Sequence, residues 1–502
     1  MSSVPETSPA EADTATDATA TATATATADD GRPGGKRFRF PHIYVILFTL
    51  ITLAAAATYL VPAGVYDLVP GPQGREVVDP DSFHFVDPTP VTAVQYMTAI
   101  PRGLVAAAEV VAFTFIIGGA FAVLRATGII ELGVGRLARR FSRRGLLTIP
   151  LLMVVFATVA TFIGTQELSL VYIPVILPLM LALRFDSVTA AAVALCATTA
   201  GFSAALTSPV TVGLGQEIAG LPLYSGMALR AVLLVVMTLI AVLYVMRYAA
   251  KVRKDPEASL VHAEDRARRE TAATDAGGED DGEDVRATGR QKAAAWVLLG
   301  FAALLLYGVL AQGWFMMEMA GLFIAMGVVV GLVAGLDVTR ICDAFTEGLR
   351  SVLLGAVIVG IARGVAVMLQ DGQILDTVVH GLAAATSGLP TLVAPVGMLA
   401  AQSLFNFLVP SGSGQAVITM PIMAPLSDIL GVTRQTAVLA FQLGDGPSNI
   451  FYPTSGYFMA ALALAGVPWT KWVRFVWPLL LMWLAVGAVA LVIAQAIAWG
   501  PF

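Results

Sequence analysis

Charge is scarce in this chain of 502 residues: Asp, Glu, Lys and Arg together make up 13% of it, where a soluble domain carries about a quarter. Hydrophobic residues make up 57%, and the mean hydropathy is +0.78. That balance excludes an ordinary soluble enzyme or binding module. Cysteine is almost missing. Cys196 and Cys342 stand far apart in no metal-like spacing, so neither a disulfide framework nor a zinc site is expected. Both read as small buried residues. Histidine is confined to His42, His84, His262 and His380, all in loops or near the ends of apolar runs, and none reads as a proton relay. The net charge of -5 lies largely in two polar segments and points to no nucleic-acid partner. No apolar run alternates with polar residues, which excludes a membrane β-barrel.

What the chain has in abundance is continuous apolar sequence. About 20 such residues cross a bilayer as a helix, and in lipid the backbone must satisfy its own hydrogen bonds. The fold class is therefore an all-α polytopic membrane protein. Four parts are expected: a tail over 1–40, a first membrane repeat over 41–246, a charged cytoplasmic linker over 247–292, and a linking span plus second membrane repeat over 293–502. The tail is an Ala/Thr/Asp/Glu low-complexity segment, including Thr19–Ala28, too poor in apolar surface to offset its ordering entropy. Its length and acidity before the first apolar run argue against a signal peptide. Residues 66–95 read as a Pro/Asp-rich loop outside the membrane.

Positive residues stay on the cytoplasmic side. Lys36, Arg37 and Arg39 precede the first span, Ile43–Val61, so the N-terminus is expected inside, in the cell membrane. Gly103–Leu124 returns to Arg136, Arg139, Arg140, Arg143 and Arg144. The stretch Leu146–Leu183 has basic flanks on both sides, which fits a hairpin that enters and leaves from the cytoplasm. Its tip is Gly164-Thr165-Gln166-Glu167. Ser187–Ile218 then crosses with a polar break near Ser203–Pro209, and Gly226–Met246 comes back to Arg247, Lys251, Arg253 and Lys254. Ala294–Gln312, Met319–Leu336 and Leu349–Leu369 follow. Thr391–Ser427 carries no charge and reads as a second hairpin, entering from outside. A broken span over Thr436–Leu464 and a last one over Val476–Ala498 complete nine crossings and two re-entrant hairpins.

The two halves resemble each other at a separation of about 245 residues. Arg102-Gly103-Leu104 matches Glu347-Gly348-Leu349. Gly119, Leu124, Ile129, Leu137 and Ala138 match Gly364, Leu369, Ile374, Leu382 and Ala383. Pro174 and Pro178 match Pro421 and Pro425, and Gly220-Leu221-Pro222 matches Gly466-Val467-Pro468. The charge rule places the copies in opposite directions. Inverted repeats with broken helices mark secondary transporters whose substrate sits near the midplane, because two similar halves in opposite orientation supply two states of similar energy.

Four polar interruptions carry the candidate site. The first tip gives Thr165, Gln166 and Glu167. The first break gives Ser203, Thr207, Ser208, Pro209 and Thr211. The second tip gives Ser411, Gly412, Ser413, Gly414 and Gln415. The second break is Gly444-Asp445-Gly446-Pro447-Ser448-Asn449, followed by Tyr452-Pro453-Thr454-Ser455. Opened backbone at membrane depth offers carbonyls to a cation and helix N-termini to an anion. A single Ser or Thr in a helix is more often bonded back to its own backbone; four matched clusters favour a site. Charges inside the membrane are costly and usually functional, which singles out Glu167, Asp445 and Arg363, with Glu109 behind them. Glu167 and Asp445 suit a proton, Na+ or a cationic substrate group, and Arg363 suits a substrate carboxylate or a structural partner. No cofactor is expected beyond H+ or Na+ as a coupling ion. Arg230, near a span end, is expected to snorkel.

At these residues the chain resembles the YfcC-like branch of the C4-dicarboxylate anaerobic carrier family. The resemblance rests on Phe345-Thr346-Glu347-Gly348, on Asn406 through Gln415, on Val438 through Gly446, on Tyr452-Pro453-Thr454-Ser455, and on Gly201-Phe202, Gln216 and Ile218-Ala219-Gly220. It covers nearly everything from Pro41 onward and implies an elevator-type transporter with a scaffold part and a mobile part. It adds Asn406, Ser448, Asn449, Thr454 and Ser455 to the expected site and implies a homodimer. The broader family is associated with dicarboxylates, short fatty acids or arginine/ornithine exchange, and this branch with basic amino acids. Two departures fall in the site. Glu167 stands alone where relatives show two adjacent acids, and Ser208-Pro209 replaces an Asn-Pro.

The expected function is secondary transport of a small charged metabolite, a basic amino acid first, by exchange or ion coupling, with a C4-dicarboxylate or other carboxylate as the alternative. An amino acid carries both kinds of charge that the site could meet. Leu443-Gly444-Asp445 is similar to the Gly-Leu-Gly-Asp of intramembrane aspartyl proteases, but Gln442 precedes it and the chain's Tyr66-Asp67 lies in a loop. A motif without its structural context carries little weight. A primary pump is disfavoured because the sequence has no nucleotide-binding loop.

Overall fold

A computed structural model describes residues 43–70, 76–130, 132–133, 145–275, 288–312 and 314–500. The N-terminal tail, the arginine cluster from Arg136 to Arg144, and positions 276–287 of the charged linker lie outside the described residues. Among the described residues six helices are long and apolar enough to cross a membrane: α3 (Ala108–Ala126), α4 (Gly145–Ile163), α8 (Met227–Lys254), α11 (Met316–Ala334), α12 (Val338–Asp371) and α18 (Trp469–Ala496). Between them run shorter apolar pieces: α1 (Ile43–Ala57), α5 (Leu168–Ala182), α6 (Ser187–Ser203), α14 (Ala394–Leu408) and α17 (Gly456–Ala465). Among the described residues strand is confined to a few short pieces, so the chain is an all-α polytopic membrane protein.

Local chemistry sets the helix starts. Asp186, Asp337, Ser411 and Thr433 each accept a backbone N–H of the first turn that follows, which satisfies donors that a helix end otherwise leaves open. Thr92 and Gln95 form a reciprocal capping box at the head of α2 (Ala93–Ala106). The helix expected from Gly103 thus begins ten residues earlier and is interrupted at Ala107, where α2 gives way to α3. The Pro/Asp-rich loop after α1 is more ordered than its composition suggests. It forms two antiparallel pairs, β1 (Gly64–Val65) with β4 (His84–Phe85) and β2 (Leu68–Pro70) with β3 (Glu76–Val78). Tyr66 anchors it to α13 (Leu375–Ser387): its backbone N–H donates to Asp376, and its hydroxyl meets Nδ1 of His380 at 3.1 Å. Burial, and secondarily the Asp376 carboxylate, push the Tyr66 phenol up to about 12, so it stays a protonated partner for His380.

The same order of elements occurs twice. A hairpin (α4–α5) leads to a buried helix (α6), a break, a short helix (α7, Leu214–Ile218) and the 28-residue α8. A second hairpin (α14 with α15, Gly412–Ile429) leads to a buried helix (α16, Arg434–Ser448), a break, α17 and the 28-residue α18. The paired prolines take matching places, Pro174 and Pro178 inside α5 and Pro421 and Pro425 inside α15.

Matched helices run antiparallel. The Tyr244 hydroxyl of α8 donates to the Phe475 carbonyl of α18 (2.6 Å), and Trp483 Nε1 donates back to Met237 O (3.1 Å). Likewise α2–α3 lies antiparallel to α12, with Gly103 against Gly360 and Gly118 against Gly348. The hairpin bases accordingly sit at opposite ends of α8. Gly145 of the first lies beside Arg253 near the helix's end. The second base, at Gly431, is held by Gln495 of α18, whose following Trp499 packs on Gly226 at the start of α8. Over 28 residues, at about 1.5 Å each, those ends are about 42 Å apart. The centre of the fold is α6 and α16: every residue of Ser187–Ser203 and of Gln435–Ser448 is buried.

Three expectations are corrected. Cys196 is buried, but Cys342 is exposed: in the first turns of α12 it is Ile341 and Phe345 that pack against Gly331 of α11 and Gly119 of α3. Arg230 does not snorkel: it is fully buried on α8 under the Trp499 ring, 5.8 Å from its centroid, and its guanidinium nitrogens find no partner. The residues that follow α18 fold back over it, with Trp499 N–H donating to Ala494 O. The break expected at Gly444–Asn449 lies further on, since α16 stays helical through Ser448 and opens only between Asn449 and Ser455. Part of the charged linker is also docked. Within α9 (His262–Asp275), Asp265 accepts the Ser187 backbone N–H at the head of α6, Arg268 donates to Ala465 O at the end of α17, and Glu264 pairs with Lys471.

Candidate functional site

Both hairpin tips reach the middle of the fold. The first turns at Gly164, whose φ of +75° lies in the left-handed region that glycine adopts freely. A Cβ there would also fall 1.8 Å from Ser208 Oγ, so the tip closes directly onto the break after α6. The second turns at Val409–Ser411, and Gly412 through Gln415 form the first turn of α15 rather than a loop.

The tips face one cavity of about 470 Å³. Thr165, Gln166, Glu167, Ser411, Gly412 and Ser413 line it from the tips, Phe202 from the end of α6 and Thr211 from the first break, Asn449 and Thr454 from the second break and Tyr457 from the head of α17. Its other wall comes from α2, α3 and α12, with Glu109, Val359 and Arg363, and from the head of α11, with Phe315 and Met316. The charged lining among the described residues is thus two carboxylates, Glu109 and Glu167, and one guanidinium, Arg363. Arg363 is half-buried, and among the described residues no hydrogen bond or ion pair holds it.

Polar bonds tie the first tip to the second half. Gln166 Nε2 donates to Gly446 O (3.0 Å), and the Tyr457 hydroxyl donates to Gln166 Oε1 (2.7 Å). Gln442 Nε2 donates to Phe202 O at the end of α6 (2.6 Å). Where α6 crosses α16, Gly446 lies against Ser203; a Cβ on it would come within 2.2 Å of Ser203 Oγ.

The remaining candidates sit behind the cavity. Asp445 is fully buried; its Oδ1 accepts from Asn449 Nδ2 (2.9 Å), and its Oδ2 has no donor. Asn406 Nδ2 donates to Asp445 O and to Ser448 Oγ, holding α14 to α16. Gln415 donates to Gln402 Oε1, Gly414 N–H donates to Ser411 Oγ, and Ser208 shares a hydroxyl bond with Thr211. Ser455 precedes α17 and is fully buried. Thr207 stands apart, with only a long contact to Phe162 O. Sequence reasoning missed Tyr457, Gln402, Gln442, Phe315 and Met316. Gln442, Asp445 and Asn449 share one face of a helix at spacings of three and four, a signal that was there to be read. The described residues offer no group of three or more His, Cys, Asp or Glu side chains that could hold a metal ion.

The description of the C4-dicarboxylate anaerobic carrier family matches residues 40–496. YfcC of Escherichia coli (strain K12), provisionally named a basic amino acid antiporter, is 35% identical over 477 residues, covering 88% of this chain and 93% of that protein. An uncharacterized protein of Haemophilus influenzae is 26% identical over 499 residues, covering 91% and 97%. Among solved structures, the Alcanivorax borkumensis YdaH transporter overlaps 92% of this chain and 99% of its own at 17% identity and a TM-score of 0.40. The chain belongs to the C4-dicarboxylate anaerobic carrier family and is a multi-pass membrane transporter.

Proposed function

We propose that the chain is a secondary active transporter for a basic amino acid, working by exchange or ion coupling. One observation carries this: the cavity presents one cation and two carboxylates, Arg363 against Glu109 and Glu167. A basic amino acid is the mirror of that set, with one carboxylate and two cationic groups. Arg363 takes the carboxylate as a forked donor pair. Glu167 at the tip and Glu109 on the opposite wall take the two cations. The cavity volume of about 470 Å³ lies within the range for small-molecule sites. The provisional name of the Escherichia coli relative agrees with this substrate class.

Matched antiparallel halves, with hairpins entering from opposite faces, support a cycle of alternating access around a fixed midplane site. In this reading the hairpins and broken helices form the moving body, and α2, α3 and α12 form the wall against which it works. The protein lies in the cytoplasmic membrane with its N-terminus inside, by the excess of positive residues there. A dicarboxylate, the substrate in the family's description, has Arg363 in its favour. It would bring two negative charges to a cavity whose own ionised groups already sum to one negative charge.

The test is equilibrium binding of labelled arginine to the purified protein in detergent. Lysine and ornithine should displace it and succinate should not. Displacement by succinate at equal concentration would transfer the site to carboxylates.

A further inference from the structure

We propose that α16 carries a sodium site next to the substrate cavity, built on Asp445 with the amide oxygens of Gln442, Asn449, Asn406 and Gln415. The starting observation is an imbalance. Asp445 Oδ2, Gln442 Oε1, Asn449 Oδ1, Asn406 Oδ1 and Gln415 Oε1 are all buried, and none accepts a hydrogen bond. A buried acceptor left open is costly, and five in one region is not a packing accident.

The amide orientations are fixed by the other end of each group. Gln442 Nε2 donates to Phe202 O, Asn449 Nδ2 and Asn406 Nδ2 to Asp445 O, and Gln415 Nε2 to Gln402 O. Flipping any of them would set an oxygen against a carbonyl oxygen, so the bonds at the nitrogen end hold each oxygen in its open position. Gln442, Asp445 and Asn449 form one stripe along α16. Asn406 is bonded to the peptide of Asp445 itself. Gln415 belongs to the first turn of α15, and that turn approaches closely: a Cβ on Gly412 would fall 2.9 Å from Asp445 Oδ2.

Against these five acceptors the neighbourhood offers one open donor, Gln402 Nε2 beside Gln415, too few to hold an anion. A proton on Asp445 Oδ2 gives one donor to the four acceptors that remain. A hard cation is what oxygen-rich surroundings suit, and a single carboxylate among neutral amides balances one positive charge. Asn449 belongs to both this set and the cavity lining, and Gly412, which also lines the cavity, packs against Asp445 Oδ2. A cation here draws the second tip onto α16 and so shapes the substrate pocket. This coupling rests on the substrate reading above; the cation site itself does not. Linkage makes the effect reciprocal, so that sodium tightens substrate binding and substrate tightens sodium binding.

The experiment uses the full chain, purified in detergent, with thermal unfolding followed in NaCl, KCl and choline chloride at equal ionic strength, and labelled arginine binding measured in the same buffers. Sodium should raise the melting temperature above that in potassium or choline, since a ligand bound only by the folded state stabilises it. Asp445→Asn should abolish that rise. Gln442→Met, which keeps the volume and removes one ligand, should require about tenfold more sodium for half the shift, the equivalent of about 1.4 kcal/mol. Equal melting temperatures in the three salts, or a full sodium response in both variants, would overturn the site. Arginine binding indifferent to sodium, together with no sodium-dependent shift, removes the cation site and leaves the substrate reading standing. A sodium shift without arginine binding does the reverse.

Discussion

The Tyr457 hydroxyl donates a 2.7 Å hydrogen bond to Oε1 of Gln166, 291 positions earlier in the chain. One buried bond thus joins α17 of the second half to the hairpin tip of the first, at the wall of the cavity. Tyr457→Phe removes the donor and leaves the Gln166 oxygen open, a cost of about 1–3 kcal/mol. Uptake per molecule of protein should fall about tenfold, with the melting temperature of the purified protein lowered by a few degrees. Unchanged uptake would show that the tip does not depend on this bond.

Arg363 has no partner of its own among the described residues and faces the cavity. Arg363→Gln should raise the half-saturating arginine concentration about thirtyfold or more, the lower end of the about 2–5 kcal/mol that losing one member of a buried charge pair costs. Arg363→Lys should recover part of it, since a point charge replaces the fork. Saturation curves of the two variants against the parent settle the matter. An unaltered curve for Arg363→Gln would give the guanidinium a structural role.

Glu167 and Glu109 face the same space from opposite walls. Removing one carboxylate should change preference rather than abolish recognition. For Glu167→Gln, competition by neutral amino acids should strengthen relative to lysine and ornithine. If the order of competitors stays as in the parent, Glu167 does not read the substrate's cationic groups.

Much of this arrangement was legible in the sequence, and the misses have physical reasons. The first tip was plain because Gly164-Thr165-Gln166-Glu167 interrupts an apolar stretch with four residues that α4 and α5 do not contain in series, and the structure turns there. The second break was placed too early because Gly444, Gly446 and Pro447 look like helix breakers. In the fold the glycines serve close approach. A Cβ on Gly444 would fall 2.5 Å from Gln402 Cβ, and one on Gly446 would strike Ser203, while the helix continues past both. Arg230 was read as snorkelling from its position alone. Nothing in its neighbourhood along the chain announces that Trp499, from the far end of the sequence, covers it.

The glycine crossing gives a stability prediction. Gly446→Ala should destabilise the purified protein by about 1–3 kcal/mol, as overpacking in a filled core does, and Ser203→Ala in the same chain should restore part of the loss. Gly381→Ala, where nothing lies within 4 Å of the added Cβ, should leave the melting temperature unchanged or slightly raised. Equal effects at the two glycines would mean that α6 and α16 do not cross as described.

Orientation can be read with a native probe. Cys342 is exposed and Cys196 buried, and the proposed topology puts the head of α12 inside. A membrane-impermeant maleimide should label Cys342 in opened membranes and not in intact cells. Labelling of intact cells would reverse the orientation.

The central claim is that the cavity between the two tips carries a basic amino acid across the membrane, and liposome uptake tests it most directly. The purified protein is reconstituted, and entry of labelled arginine and labelled succinate is compared, with and without unlabelled arginine or ornithine inside and with and without a sodium or pH gradient. The account predicts arginine uptake that rises with internal basic amino acid or with an imposed gradient, and no entry of succinate. Succinate uptake without arginine uptake would contradict it.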